Sequence, residues 1–146
     1  MRIDARRLAV VAPFGAVALL VGYHPVFLFG LLVGVVLPDV DAADERVHRS
    51  WFFHTFLPPT VAFVALSAAG VDGAAVTFVH FVTLGMVAHF VLDFVYPRVQ
   101  RNPGAEWPVR PTIGSAPWGI LWLGLSWSVQ WFLYLSVSFL PWVIGV

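Results

Sequence analysis

The fold is decided by the apolar stretch from residue 74 to residue 96, which reads AAVTFVHFVTLGMVAHFVLDFVY. A helix needs about 20 such residues to cross the hydrocarbon core of a bilayer, and this stretch supplies them without a break. It nevertheless contains His89 and Asp93, which stack on one face of a helix one turn apart. Ionisable groups are costly inside a span, and by default they mark a site or pair with one another. The stretch therefore predicts a membrane-spanning helix with a polar site near one end.

The rest of the chain is similarly apolar. Of its 146 residues, 60% are hydrophobic and 11% are charged, and the mean hydropathy is +0.85. A soluble domain carries about 25% charged residues. Turn signals containing proline or glycine separate apolar runs at about residues 6–22, 25–39, 58–71, 74–96 and 117–140. The sequence thus predicts an all-α protein: a polytopic transmembrane helical bundle of about five spans, forming a single integral membrane domain over residues 1–146.

The composition excludes several classes of function. The formal net charge is zero, so bulk electrostatics indicates no nucleic-acid partner. The chain has no cysteine, which excludes disulfides, thiolate metal sites and cysteine nucleophiles. The lipid bilayer is the partner that the composition indicates, and the oligomeric state is left open.

The distribution of arginine predicts the orientation. All eight basic residues are arginines, and threading five spans from a cytoplasmic N-terminus places every one of them on the cytoplasmic side. The opposite loops contain no arginine and carry instead His24 and Asp72. This one-sided distribution follows the positive-inside rule. No small-residue cleavage site follows the first apolar run, so that run is predicted to be a retained span. We expect a multi-pass protein of the inner (cytoplasmic) membrane.

Six candidate metal ligands form two clusters on the predicted cytoplasmic face. The first cluster follows the second span and continues into the next loop, and the second cluster ends the fourth span. Imidazole and carboxylate groups bind Zn²⁺ or Mn²⁺ without redox chemistry. A divalent metal ion, zinc or manganese, is therefore the predicted cofactor. The predicted ligands are Asp39, Asp41, His48, His54, His89 and Asp93.

Each cluster also has a structural interpretation. The two aspartates of the first cluster could be solvated residues at a helix end, although an acidic group is electrostatically unfavourable at a helix C-terminus. The two histidines of the following loop could be ordinary interfacial residues, and the His89–Asp93 pair could be a hydrogen bond without a metal. His80 lies deeper in the same span on the opposite face, and we predict that it makes an interhelical hydrogen bond. Gly85, one turn before His89, is predicted to let another helix approach closely.

The order of these motifs resembles that of the YdjM-like family, described as LexA-binding, inner-membrane-associated, metal-dependent hydrolases. The resemblance covers about residues 25–110. It implies a helical membrane protein with a phosphoester-type hydrolase site, in which the six residues named above inherit the metal-ligand role. Thr55 stands where serine is usual and keeps the hydroxyl. The matching residues are, in order, Gly34, Leu37-Pro38-Asp39-Val40-Asp41, His48-Arg49, His54-Thr55, Gly85, His89 and Asp93.

The leading hypothesis is a metal-dependent hydrolase that acts on a phosphoester or a lipid headgroup at the cytoplasmic face. A bound metal would polarise a phosphoryl oxygen and lower the pKa of a bound water. Asp39 and Asp41 are the candidate catalytic carboxylates, and Arg49 would stabilise phosphate charge because its planar guanidinium can bond two oxygens at once. Two alternatives stay open: a metal-stabilised scaffold or binding protein without turnover, and a proton or metal-ion transporter that uses His80.

Overall fold

The computed structural model describes residues 5–43, 52–95 and 116–145, and this part of the chain contains helices and no strand. The prediction of an all-α fold is confirmed for these residues. A 3₁₀ segment, Leu37–Ala43, continues α2, and a π-helix, Trp131–Phe139, joins α5 to α6 without a break. The α-helices are α1 (Ala5–Leu20), α2 (Phe27–Val36), α3 (Leu57–Ala68), α4 (Ala74–Val95), α5 (Ala116–Gln130) and α6 (Leu140–Ile144).

The helices differ in their capacity to cross a membrane. Two of the described helical stretches are long and apolar enough to do so, Ala74–Asp93 and Gly124–Ile144. The other apolar helices are shorter, and the 12 residues of α3 extend for only about 18 Å against a hydrocarbon thickness of about 30 Å. Five helical rods thus coincide with the five predicted spans, but two of them have spanning length. A five-span bundle stays a proposal.

The helices α2 and α4 pack on each other more extensively than any other described pair. Glycines make this possible. A Cβ atom built on Gly34 would lie 1.9 Å from the carbonyl oxygen of Val82, and one built on Gly85 would lie 2.1 Å from the carbonyl oxygen of Leu31. Since no side chain fits at either position, the two backbones are in direct contact. The predicted close approach at Gly85 is confirmed.

The contacts along α2 and α4 also give the direction of the helices. Gly30 lies against Phe78, and further along both helices Val35 is hydrogen-bonded to His89, so α2 and α4 run parallel. The first turn of α1 contacts the 3₁₀ segment that continues α2. The beginning of α1 and the ends of α2 and α4 therefore meet at one end of the bundle.

An aromatic cluster around Trp142 closes the other end. The centroid of the Trp142 ring lies 5.0 Å from that of His80, 5.4 Å from Phe81, 5.7 Å from Tyr23 and 6.0 Å from Phe139. Ring pairs at such separations contribute about 0.5–1.5 kcal/mol each beyond the area that they bury. The indole of Trp142 thereby ties α6 to α4 and to the turn after α1.

Large apolar side chains point outward from the bundle. The exposed fraction is 85% for Leu20, 69% for Phe132 and 64% for Phe29, and only 22% of the Gly124–Ile144 window is buried. Such extensive apolar exposure is unusual on a soluble monomer, whereas lipid tails are as apolar as these side chains. The outer surface is therefore chemically suited to a bilayer.

His80 makes the interhelical hydrogen bond that its position predicted. Its Nδ1 lies 3.0 Å from Tyr134 Oη, and its Nε2 lies 3.3 Å from Ser138 Oγ. Thr83 Oγ1 donates to the Val79 carbonyl and lies 2.6 Å from Tyr134 Oη. Because the Thr83 proton is used in this way, Tyr134 donates to Thr83, His80 Nδ1–H donates to Tyr134, and Ser138 donates to His80. The buried chain of hydrogen bonds has one direction.

We expect the variant Tyr134→Phe to lose about 1–3 kcal/mol of unfolding free energy, because His80 and Thr83 would each lose a hydrogen-bond partner in a buried place. Thermal unfolding in detergent measures the effect. Tyr23→Phe is the control, since the described contacts of Tyr23 are ring contacts, and it should unfold close to wild type. Equal losses in the two variants would contradict the assignment.

Candidate metal centre

Three predicted ligands meet at the end of α4. His89 and Asp93 lie one turn apart on this helix, and His54 lies in the turn that precedes α3. One ligand atom from each of the three lies within 4.8 Å of the others. Both histidines are buried, and Asp93 is half-buried. The fold thus brings together groups from both sequence clusters, as the positions of the predicted spans required.

The orientation of His89 is determined by the backbone of α2. The Nδ1 atom lies 2.8 Å from the carbonyl oxygen of Val35, and because a carbonyl can only accept, Nδ1 carries the proton and donates it. In the neutral ring, Nε2 then has a free lone pair. Metal-binding histidines usually donate their other ring N–H to a carbonyl or carboxylate, which fixes the ring and the tautomer. Val35 supplies that contact for His89.

The free side of the His89 ring faces a carboxylate. Nε2 lies 3.5 Å from Asp93 Oδ2, so in the neutral ring two lone pairs face each other. A cation between them, either a proton or a metal ion, removes the repulsion. Two ligands on one tetrahedral Zn²⁺ at about 2.1 Å each are separated by roughly 3.4 Å. The spacing of this pair therefore matches that of two ligands on one ion.

His54 is close to the position that the same ion requires. Ligands on one tetrahedral zinc are about 3.4 Å apart, so the 4.8 Å limit of the group corresponds to an inward shift of at most about 1.4 Å. The rings of His54 and His89 meet edge to face, with centroids 5.8 Å apart. His54 therefore lies within a small displacement of a position on the same ion.

The turn that carries His54 is held by its neighbour. Thr55 is fully buried; its Oγ1 accepts a hydrogen bond from the Leu57 backbone N–H at 3.3 Å and lies 3.4 Å from the Phe52 carbonyl. Prolines at the first positions of α3 then fix the start of the helix. The hydroxyl at position 55 thus sets the geometry of the turn, and the rings of Phe56 and Phe90 pack beside it with centroids 5.4 Å apart.

Asp39 has a different environment from the one predicted. Arg7 Nη2 donates to Asp39 Oδ2, and both side chains are largely buried. Asp39 lies at the same end of the bundle as the three-ligand group but is not a member of it. The guanidinium compensates the unfavourable placement of a carboxylate beyond a helix C-terminus. Sequence reasoning treated Arg7 only as an orientation signal, although a base and an acid at the edge of two spans on one membrane face are candidates for an ion pair.

The side chains of the remaining predicted site residues lie outside the described part of the structure. Asp41 falls within the 3₁₀ segment, but its side chain is outside the described residues, and His48 and Arg49 lie in the undescribed interval 44–51. Their roles as ligands, and that of Arg49 at a phosphate, stay predictions. The three-ligand group and Asp39 are accordingly the parts of the predicted site whose geometry is described.

We expect Arg7 and Asp39 to be energetically coupled. Arg7→Met or Asp39→Asn alone should cost about 2 kcal/mol or more, because each leaves a largely buried charge without its partner. The double variant should lose less than the sum of the single losses by about 1–2 kcal/mol. The unfolding free energies are measured in detergent, with a chelator present so that bound metal does not contribute to them. The control is the double variant of Arg7→Met and Asp72→Asn, because Asp72 is an exposed carboxylate in the α3–α4 turn. Strictly additive losses for Arg7→Met and Asp39→Asn would refute the coupling.

Comparison of the chain with protein-family models, curated proteins and solved structures finds no match. The resemblance to the YdjM-like family is neither supported nor opposed by this result and stays a prediction. The function proposed below rests on the residues and contacts described above.

Proposed function

We propose that this chain is a multi-pass protein of the cytoplasmic membrane and a metal-dependent hydrolase acting on a phosphoester or a lipid headgroup. The observation that carries the proposal is the orientation of His89. Its Nδ1 is used by the Val35 carbonyl, and its Nε2 faces Asp93 within a group that includes His54. A cation between Nε2 and the Asp93 carboxylate is required by this arrangement, and the proximity of a second imidazole, that of His54, favours a metal ion over a proton.

His54, His89 and Asp93 are the residues that would hold the ion, with Asp41 and His48 as further candidates from the sequence. A divalent ion, zinc or manganese, supplies a polarised water of lowered pKa when it is bound. Three protein ligands on a tetrahedral ion leave a position for that water. Asp39, which is paired with Arg7, is a candidate general base at the same end of the bundle, and Arg49 is the candidate partner of a phosphate.

The location of the group supports a substrate at the membrane surface. His89 and Asp93 end a helix of spanning length, so they would lie at the level of the lipid headgroups. The arginines of the chain fall on the same predicted side, where they favour anionic substrates. A phosphoester within a lipid headgroup meets both conditions, because it is anionic and confined to that depth.

The test uses purified full-length protein in detergent with added zinc or manganese and a panel of water-soluble phosphomonoesters, phosphodiesters and anionic phospholipids. We expect metal-dependent phosphate or headgroup release that a chelator abolishes. Asp93→Asn keeps the shape of the side chain but removes its charge, so activity should collapse while the fold survives, since apolar packing stabilises the bundle. Asp72→Asn is the matched control and should retain activity. Metal-loaded wild type that turns over no member of the panel would count against the hydrolase.

A metal-stabilised scaffold is the second candidate, and one observation favours it. His54 comes from the turn before α3 and the other two ligands come from α4, so one ion would cross-link two elements. In that case a chelator should lower the melting temperature of wild type, and Asp93→Asn should melt at the lowered temperature with or without chelator. A transporter ranks third, since the described hydrogen bonds from His80 end at the Val79 carbonyl.

The proposed membrane placement has its own test. With the N-terminus in the cytoplasm, Asp72→Cys should react with an impermeant thiol reagent added outside intact cells, and Asn102→Cys should react only after the cells are permeabilised. The chain has no natural cysteine, so each variant reports a single position. Labelling of position 102 but not of position 72 in intact cells would reverse the orientation.

A further inference from the structure

Two cavities share Trp142 as a lining residue, at the end of the bundle opposite the His–Asp group. The first has a volume of about 520 Å³ and lies between the end of α3, the α3–α4 turn, the beginning of α4 and α6. Its lining is mixed in character, with a carboxylate, two hydroxyls, an imidazole and two further aromatic rings. These side chains are Asp72, Ser67, Thr77, His80, Phe63 and Trp142.

The second cavity is apolar and has a volume of about 500 Å³. It is formed by α1, α4 and α6, with Phe81, Leu84 and Trp142 on its inner side. Val17 and Val143, which are 58% and 51% exposed, lie at its rim. The cavity is therefore a groove that opens on the outer apolar surface of the bundle.

One indole is common to the two cavities. Trp142 lines both of them, and the consecutive residues His80 and Phe81 face one cavity each. The ring centroid of Trp142 lies 5.0 Å from that of His80 and 5.4 Å from that of Phe81. Since the two cavities share this ring, they adjoin, and one molecule with a polar end and an apolar end would extend into both.

The polar cavity is suited to a cation. Asp72 is the charged side chain among the described residues that line it, and a carboxylate attracts an ammonium group. Phe63 and Trp142 offer aromatic rings, which attract cations through their quadrupoles. His80 uses both ring nitrogens in hydrogen bonds to Tyr134 and Ser138, so its contribution to a ligand is its ring rather than a donor.

We propose that the two cavities together bind one phospholipid with an ammonium headgroup, from the leaflet opposite the metal centre. The headgroup lies against Asp72 in the polar cavity, and an acyl chain lies in the apolar groove. A lipid is the proposed occupant for two reasons. The apolar groove opens on the surface that would face the bilayer, and the Asp72 carboxylate in the polar cavity is opposite in charge to an ammonium group. This inference rests on the membrane placement proposed above and is independent of the hydrolase activity.

Native mass spectrometry of the full chain in detergent tests the headgroup, with phosphatidylethanolamine and phosphatidylglycerol of identical acyl chains as probes. We expect wild type to bind the first in preference to the second. Asp72→Asn should weaken phosphatidylethanolamine binding about three- to tenfold, and Asp72→Glu should largely restore it. Equal binding of the two lipids by wild type, or an unchanged preference in Asp72→Asn, would overturn the proposal.

The groove is tested with Val17→Trp, a substitution at an exposed rim position that would fill it without disturbing the core. This variant should bind phosphatidylethanolamine at least several-fold more weakly. Free ethanolamine is the second probe. If it binds as tightly as phosphatidylethanolamine, the ligand is a soluble amine and not a lipid, which refutes the proposal. Zinc binding measured on Asp72→Asn should equal that of wild type, which separates a failure here from a failure of the metal centre.

Discussion

Alanine at position 34 should prevent α2 from seating on α4 and should lower the unfolding free energy by at least about 3 kcal/mol. The reason is steric. The added Cβ would lie 1.9 Å from the Val82 carbonyl oxygen and 2.9 Å from the Gly85 Cα, and backbone atoms cannot rotate away as a flexible side chain can. The helices must separate, and the contact that places Val35 beside His89 is lost with them. Thermal unfolding in detergent, together with the yield of monodisperse protein, measures the effect.

The matched control is Gly124→Ala. Gly124 is an exposed helical glycine of α5, and a Cβ atom built on it has no neighbour within 4 Å. Alanine is favoured over glycine by roughly 0.5–1 kcal/mol inside a helix, so this variant should be as stable as wild type or slightly more stable. If Gly34→Ala unfolds like Gly124→Ala, then α2 and α4 do not cross as described.

The second large effect is on metal affinity. We expect His89→Ala to weaken zinc binding at least about 100-fold, more than the 10- to 100-fold that loss of an outer contact costs a metal site. The variant removes both a proposed nitrogen ligand and the hydrogen bond that orients it. Isothermal titration with zinc and with manganese, followed by metal analysis after dialysis, measures the change.

His24→Ala is the control for surface binding. His24 is exposed in the turn between α1 and α2, where its Nδ1 accepts a hydrogen bond from the Val26 N–H. Its replacement should leave both affinity and stoichiometry unchanged. If His24→Ala and His89→Ala weaken zinc binding equally, the zinc is bound to scattered surface histidines and the proposed centre does not exist.

The spacing of residues in the sequence was sufficient to predict the part of the site that belongs to one helix. His89 and Asp93 stand four residues apart, and a helix brings such residues together whatever surrounds it; the structure places them 3.5 Å apart. Hydropathy likewise predicted the helical rods, since a long apolar segment with turn signals at its ends has few other structures available. The close approach of another helix at Gly85 was also predicted, from the glycine itself and its place on the same face as His89.

The tertiary structure alone decided which groups meet. Arg7 and Asp39 are 32 residues apart, and no periodicity in the sequence connects them, because their contact depends on how α1 lies against α2. The selection of His54 over Asp39 for the three-ligand group depends on the turn that Thr55 holds. His89 donates a hydrogen bond to a backbone carbonyl of α2. Because every residue has a backbone carbonyl, the sequence could not identify this partner. The geometry of a helix fixes the distances between side chains on that helix. The distances between side chains on different helices depend on how the helices pack, and here the glycines at positions 34 and 85 determine that packing.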